Sequence, residues 1–232
     1  MNKQDELKQK TACQAVEFIE SGMIVGLGTG STTAFAVIRI GERLKSGDLK
    51  NIVGIPTSIR TETLAGELGI PLCGLGDQPE IDVTIDGADE VDPDLNLIKG
   101  GGGALLWEKV VAQASRRNII IVDQSKLSPC LGTHWAVPIE VIPFAVKTEE
   151  NFLKSLGAAV TLRTAEGGQP YKTDQNNFIL DANLGEIADP NGIAARLNQR
   201  AGIVEHGLFL DLASDVIVAE SDGIRHLKSI QA

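Results

Sequence analysis

Between Met23 and Ser125 the sequence alternates short β-rich runs with helical patterns, an order that few folds accommodate. The runs are MIVGLG, IVGI, PLCGL and DVTIDG, and helices are expected over 32–45 and 58–68. Such an order predicts an α/β architecture, a mostly parallel open sheet with helices on both faces. The stretch 104–115 is apolar nearly all round, as a buried helix would be, and NIIIVD after it reads as another central strand.

After Gly132 the order changes to strand VPIEVI, a helix over 148–156, strands AVTLRT and NFILDA, a helix over 191–200 and strand GIVEHGLF. This split β-α-β order predicts a smaller ferredoxin-like α+β lobe. DVIVAES has the length and β-branched content of a strand returning to the large sheet. The expected division is a large α/β catalytic domain over 1–131 and 208–232 and a small α+β domain over 132–207. At 232 residues the chain is long enough for both.

Charge and cysteine content exclude several function classes. With 21 Lys and Arg against 31 Asp and Glu, the net charge of -10 repels a phosphate backbone and an anionic membrane alike, so neither is an expected partner. Cys13, Cys73 and Cys130 are odd in number and lack a C-x-x-C pair, which suggests neither a disulfide framework nor a zinc cage. His134, His206 and His226 are scattered without ligand spacing, and no metal is expected. No apolar run nears the roughly 18 residues of a membrane span, and a cytoplasmic protein is expected.

In an open α/β sheet a ligand sits beyond the carboxyl ends of the strands. Four such ends carry chemistry: Gly28-Thr29-Gly30-Ser31-Thr32, Pro56-Thr57-Ser58, Asp86-Gly87-Ala88-Asp89 and Asp123-Gln124-Ser125-Lys126. The first places two glycines and three hydroxyl residues at a helix start, where unpaired N–H groups and the helix dipole attract an anion such as phosphate. The same turn also suits a plain structural N-cap. The dinucleotide fingerprint fails because Ser31 stands at the third glycine and no acid ends the next strand, which disfavours a nicotinamide cofactor. Walker-type phosphate binding fails as well, since no Gly-Lys-Ser/Thr follows the loop.

In IDVTIDGADEVD the alternation of Ile81, Val83 and Ile85 leads into Asp86, Gly87 permits an abrupt turn, and Asp89 follows. Two carboxylates near one sheet edge result, unless the segment is simply a solvated Asp-Gly turn. Lys99 precedes Gly100 to Gly103, a run that lets backbone approach a ligand or that acts as a hinge. Glu108 has Ala104, Leu105, Val111 and Ala112 as its helical neighbours, all apolar. Most helical glutamates are solvated, but this flank implies desolvation, which raises a carboxylate from about 4.3 toward neutrality and suits a proton shuttle. Lys99 could supply positive charge to an oxyanion.

The motifs GLGTGST, PTS, DVTIDGADEVD, KGGGGALLWEK, DQSK and VPIEVIP, in this order, resemble the type A ribose-5-phosphate isomerases. QDELK, TDQNNFILD and VEHGLF extend the resemblance over essentially the whole chain, while Gly103 and Trp107 stand where that family often carries other residues. The resemblance implies interconversion of D-ribose 5-phosphate and D-ribulose 5-phosphate through an enediolate, in the non-oxidative pentose phosphate pathway, with no metal or redox cofactor. It also implies a homodimer or larger homo-oligomer. Carried over residue by residue, it puts Thr29, Gly30, Ser31 and Thr32 in the substrate loop and turns Asp86, Gly87, Ala88 and Asp89 toward the sugar. Lys99, Gly100, Gly101 and Gly102 become a second binding loop, and Lys126 and Lys8 contact substrate. Glu108 becomes the catalytic acid/base, Asp86 the group that handles the proton in ring opening, with Asp89 as its alternate, and Lys99 the cation beside the enediolate.

Two other functions use related folds. A sugar-phosphate sensor of a transcriptional regulator needs a DNA-binding domain, and only one short helix fits before the strand that begins by Met23. Acyl transfer to coenzyme A through a glutamate nucleophile would recruit Glu108 differently.

Overall fold

The computed structural model describes residues 3–221 and 223–229; residues 1, 2, 222 and 230–232, which the sequence assigns to the large lobe, lie outside them. In chain order the elements are α1 (Lys3–Val16), β1 (Ile24–Leu27), α2 (Ser31–Ser46), β2 (Val53–Pro56), α3 (Ile59–Glu67), β3 (Val83–Asp86), β4 (Glu90–Val91), β5 (Leu97–Ile98) and α4 (Leu105–Gln113). There follow β6 (Asn118–Asp123), β7 (Val137–Val141), α5 (Val146–Ser155), β8 (Ala159–Leu162), β9 (Phe178–Asn183), α6 (Pro190–Asn198), β10 (Ile203–His206), β11 (Leu208–Phe209), β12 (Asp215–Ala219) and β13 (Ile224–Lys228).

Two compact units divide the chain. The first comprises Met1–Ala88, Trp107–Lys126 and Leu212–Ala232, and the second Asp89–Leu106 and Leu127–Asp211. Asp89–Leu106, which the sequence reading leaves in the large lobe, falls in the second unit because β4 and β5 join β11 in a three-stranded antiparallel sheet.

The first unit is built on a six-stranded sheet of order β13-β12-β6-β3-β1-β2, parallel throughout except for β13. Strand alternation sorts its residues to two faces. Val25, Leu27, Val83, Ile85, Ile119, Ile121 and Ile217 pack in one core with Ala12, Ala15 and Val16 of α1 and Ala36, Val37 and Ile40 of α2. The opposite face, on which Gly26 and Thr84 lie, receives Val111 of α4. DVIVAES therefore does return to the large sheet, as β12 beside β6. Two expectations fail here. PLCGL forms only one bridge, Leu72 to Gly54. The helix expected to be buried all round leaves Trp107 and Val110 exposed, because a helix on a sheet face buries only one stripe.

The second unit holds a four-stranded antiparallel sheet of order β10-β7-β9-β8, reached in the sequence β7-α5-β8-β9-α6-β10. That is the ferredoxin-like connectivity read from the sequence. Val137, Ile139, Val141, Leu180 and Ala182 of the sheet pack with Leu153 of α5 and Leu197 of α6. GIVEHGLF is not one strand. It breaks at Gly207, whose N–H donates to Pro138 O at 2.7 Å and whose carbonyl accepts the Lys99 N–H at 2.9 Å, so β10 and β11 enter different sheets. No helix among the described residues is long and apolar enough to cross a membrane.

The edge strand β13 is tied to the sheet by a polar cluster. Buried Asp215 accepts from Arg117 Nε at 2.7 Å and Nη2 at 3.0 Å, and pairs with His226 Nε2 at 2.7 Å. Burial works against the Asp215 charge, but the hydrogen bonds and positive charges of Arg117 and His226 outweigh it and hold the carboxyl below its ordinary range. A depressed carboxylate contributes stability that is complete above the unfolded value of about 3.9 and is lost as pH falls through the folded value. Asp215→Asn should therefore lower stability by roughly 1–3 kcal/mol at neutral pH and flatten the acid-side loss. Urea midpoints of both proteins from neutral to strongly acid pH check this; parallel curves would contradict it.

Candidate active site

At the carboxyl edge of the first unit's sheet, Asp86 ends β3 with its side chain 3% exposed. Its Oδ1 accepts the Thr29 N–H at 3.1 Å and the Gly87 N–H at 2.7 Å. Gly28 is required for this approach, since a Cβ there would lie 2.3 Å from Asp86 Oδ1 and 2.6 Å from its Cα. Thr29 Oγ1 lies 2.7 Å from Thr57 Oγ1, 2.8 Å from Ser58 Oγ and 3.1 Å from Thr61 Oγ1. The Pro56-Thr57-Ser58 motif thus braces the glycine turn from the neighbouring strand, and Ser58 also caps α3 through the Thr61 N–H.

Gly30, at φ 135°, caps α2, which begins at Ser31. Lys8 of α1 donates to Ser31 Oγ at 3.0 Å, so the first helix brings a cation to the helix start. Thr32 is half-buried in the first turn. Lys126, also half-buried, closes the short 3-10 turn after β6, next to β3 in the sheet.

Glu108 is buried at 4% exposure, as its apolar flank requires. Packing sets its height on the sheet. A Cβ on Gly26 would lie 2.9 Å from Val111 Cγ1, Thr84 Oγ1 sits 2.7 Å from Ser115 Oγ, and Ile81 N–H donates to Ala114 O at 2.9 Å. The helix therefore runs against the strands, with its C-terminal end over the start of β3. Glu108, one turn before Val111 and roughly 4.5 Å further along the axis, is displaced toward the carboxyl edge. Asp86 is two residues beyond Thr84 and on the same face. The two buried carboxyls thus share one face and one edge of the sheet.

In the second unit, Asp89 Oδ2 accepts the Gly101 N–H at 2.7 Å. Lys99 is 3% exposed, and its Nζ stands 5.5 Å from the centroid of the Phe209 ring. Gly100 and Gly103 have φ of 101° and 82°, which bend the loop sharply, and Gly101 and Gly102 are exposed. The Gly101 carbonyl and that of Gly100 accept from Arg163, and the Gly102 carbonyl faces Tyr171.

Known proteins resemble this chain in both sequence and fold. The family model of ribose 5-phosphate isomerase A (phosphoriboisomerase A) matches residues 53–223. The ribose-5-phosphate isomerase A of Desulfatibacillum aliphaticivorans is 60% identical over 99% of this chain and 100% of its own. The chain belongs to the ribose 5-phosphate isomerase A family. Another member, from Chloroflexus aurantiacus, is 56% identical over 95% of this chain and 92% of its own. A solved D-ribose-5-phosphate isomerase in complex with phospho-erythronic acid superposes with a TM-score of 0.95 at 44% identity, over 98% of this chain and 100% of that one.

Within this family's frame, Thr29, Gly30, Ser31, Thr32, Asp86, Gly87, Ala88, Glu108, Lys126 and Lys8 lie in the first unit and Asp89, Lys99, Gly100, Gly101 and Gly102 in the second. Ala88 directly precedes the passage from one unit to the other. The three histidines have separate surroundings: the His134 N–H donates to buried Glu90, His206 Nδ1 accepts the Leu208 N–H, and His226 pairs with Asp215. An apolar cleft of about 480 Å³ lined by Ile55, Leu72, Trp107 and Val110 contains none of the charged candidates. Sequence reading missed Thr61, Arg163 and Tyr171. Only the pairing of separated strands and turns reveals them.

Proposed function

We propose that this protein interconverts D-ribose 5-phosphate and D-ribulose 5-phosphate through an enediolate, in the non-oxidative pentose phosphate pathway. The observation that carries the proposal is the burial of Glu108 on the face and edge of the sheet that Asp86 occupies, in a chain of this family. The phospho-erythronic acid held by the related enzyme is consistent with it, because a carboxylate is a planar anion like the C1–C2 unit of an enediolate.

In this scheme Asp86 handles the hydroxyl proton as the furanose opens, with Asp89 as the alternate group. Glu108 takes the proton from C2, the C1=C2 double bond forms, and negative charge passes to O1 beside Lys99 and loop N–H groups. Glu108 then returns the proton to C1, the O2 proton passes to O1, and the carbonyl is left at C2. Ser31, Thr32, Lys8 and Lys126 receive the phosphate, with the N–H groups that start α2. Carboxylates and lysines carry every step, so no metal or redox cofactor enters. The coenzyme A and sensor alternatives lose ground to the isomerase relatives over the full chain.

We also place the protein in the cytoplasm as a homo-oligomer. Its three cysteines are free thiols, and Phe144 presents its ring to solvent at 98% exposure, a surface a second copy would cover. Light scattering should give at least twice the monomer mass; a monomer at micromolar concentration would refute the oligomer.

The functional test is turnover of ribose 5-phosphate by the purified protein, which should persist after exhaustive chelation. Glu108→Gln should fold, bind ribose 5-phosphate and lose roughly 10²- to 10⁴-fold in kcat. A folded, substrate-binding Glu108→Gln protein with near wild-type kcat would remove Glu108 from the mechanism.

A further inference from the structure

The loop that follows Lys99 is held from both sides by groups of its own unit. Asp89 takes the Gly101 N–H at 2.7 Å, while Arg163 Nη1 donates to Gly100 O at 2.8 Å and Gly101 O at 3.1 Å. Arg163 is fixed in turn by Asp181, which accepts from its Nε at 3.0 Å and from its Nη2, a fork-to-fork pair that leaves Nη1 aimed at the loop. Tyr171 pairs with Arg163 across a short hairpin, its N–H donating to Arg163 O at 2.9 Å, and its hydroxyl reaches Gly102 O at a longer 3.4 Å. Burial pushes the Tyr171 phenol above its ordinary range, which keeps it a donor.

Peptide planarity converts these contacts into a direction for each N–H. In a trans peptide the C=O of one residue and the N–H of the next point opposite ways. Gly100 O faces Arg163 and the Gly101 N–H faces Asp89, as this requires. Gly102 O faces Tyr171 and the Gly103 N–H turns back to Gly100 O at 3.0 Å. The remaining peptide has Gly101 O on Arg163, so the N–H of Gly102, itself an exposed residue, points away from the guanidinium. A cation on the carbonyl also polarises that peptide and strengthens its N–H as a donor. Gly103 belongs to the same device. A Cβ there would lie 2.3 Å from Tyr171 Oη, so glycine at this position lets the tyrosine close over the loop.

We propose that Arg163, locked by Asp181 and assisted by Tyr171, is a positioning residue that aims the Gly102 N–H at an oxyanion of the reacting sugar phosphate. The inference rests on the isomerase reading. Arg163 does not touch substrate; it acts through the loop, and its loss affects the transition state more than ground-state binding.

The test compares wild type, Arg163→Lys, Arg163→Met and the double variant Arg163→Met/Asp181→Leu, which removes both partners so that no carboxylate is stranded. Amide hydrogen exchange across 99–103 should accelerate in both Met-containing proteins. In both, kcat for ribose 5-phosphate should fall about 10- to 100-fold with a smaller change in KM, since a misaimed donor costs about this much. Arg163→Lys should fall between them and wild type, and added guanidinium should restore part of the kcat of Arg163→Met. Folded Met variants with kcat within about twofold of wild type, or with native exchange at 99–103, overturn the proposal while wild type remains active. An inactive wild type overturns the isomerase reading and this inference with it.

Discussion

One carboxylate organises the edge of the first unit's sheet. Asp86 Oδ1 accepts two loop amides, those of Thr29 and Gly87, and so joins the turn after β1 to the turn after β3. The contact demands a glycine at 28, because any side chain would run into the Asp86 backbone. It also demands that Thr29 stay put, which the hydroxyls of Thr57, Ser58 and Thr61 provide. Once that turn is fixed, the start of α2 is fixed with it, and Lys8 meets Ser31 there.

The second acid of the same motif repeats the device. Asp89, three residues on, takes a glycine N–H in the loop after Lys99, and Arg163 takes the carbonyls. In both units a glycine turn is held by a carboxylate on its amides. Packing contributes as well, since Gly100 lies against Leu105 and Pro138, but the exposed part of the second loop, Gly101 and Gly102, is held by polar contacts. Their geometry depends on a few charged partners, and single substitutions at those partners should be felt in rate more than in stability.

Much of this was legible in the sequence. Strand ends, the buried Glu108 and the ferredoxin-like order of the second unit follow from residue alternation and helical spacing, which are local properties. What escaped is non-local. PLCGL has apolar content but little alternation, and Pro71 and Gly74 leave only Leu72 to bridge. The two-residue strands β4 and β5 are too short to show a period, and their pairing with β11 decides where Asp89–Leu106 packs. Arg163 reaches Asp181 and the glycine loop only once β8 and β9 have paired in register, with Thr161 opposite Asp181. Nothing within a few residues of Arg163 carries that signal.

The central claim is that one shielded carboxyl, Glu108, moves a proton from C2 to C1. The measurement that tests it most directly is the fate of deuterium placed at C2 of ribose 5-phosphate, followed in ordinary water to C1 of the ribulose 5-phosphate formed. A buried acid that exchanges slowly with solvent predicts partial retention at C1. Complete loss of the label would assign the transfer to a solvent-exposed base, and complete retention would indicate a hydride shift; either result contradicts the account.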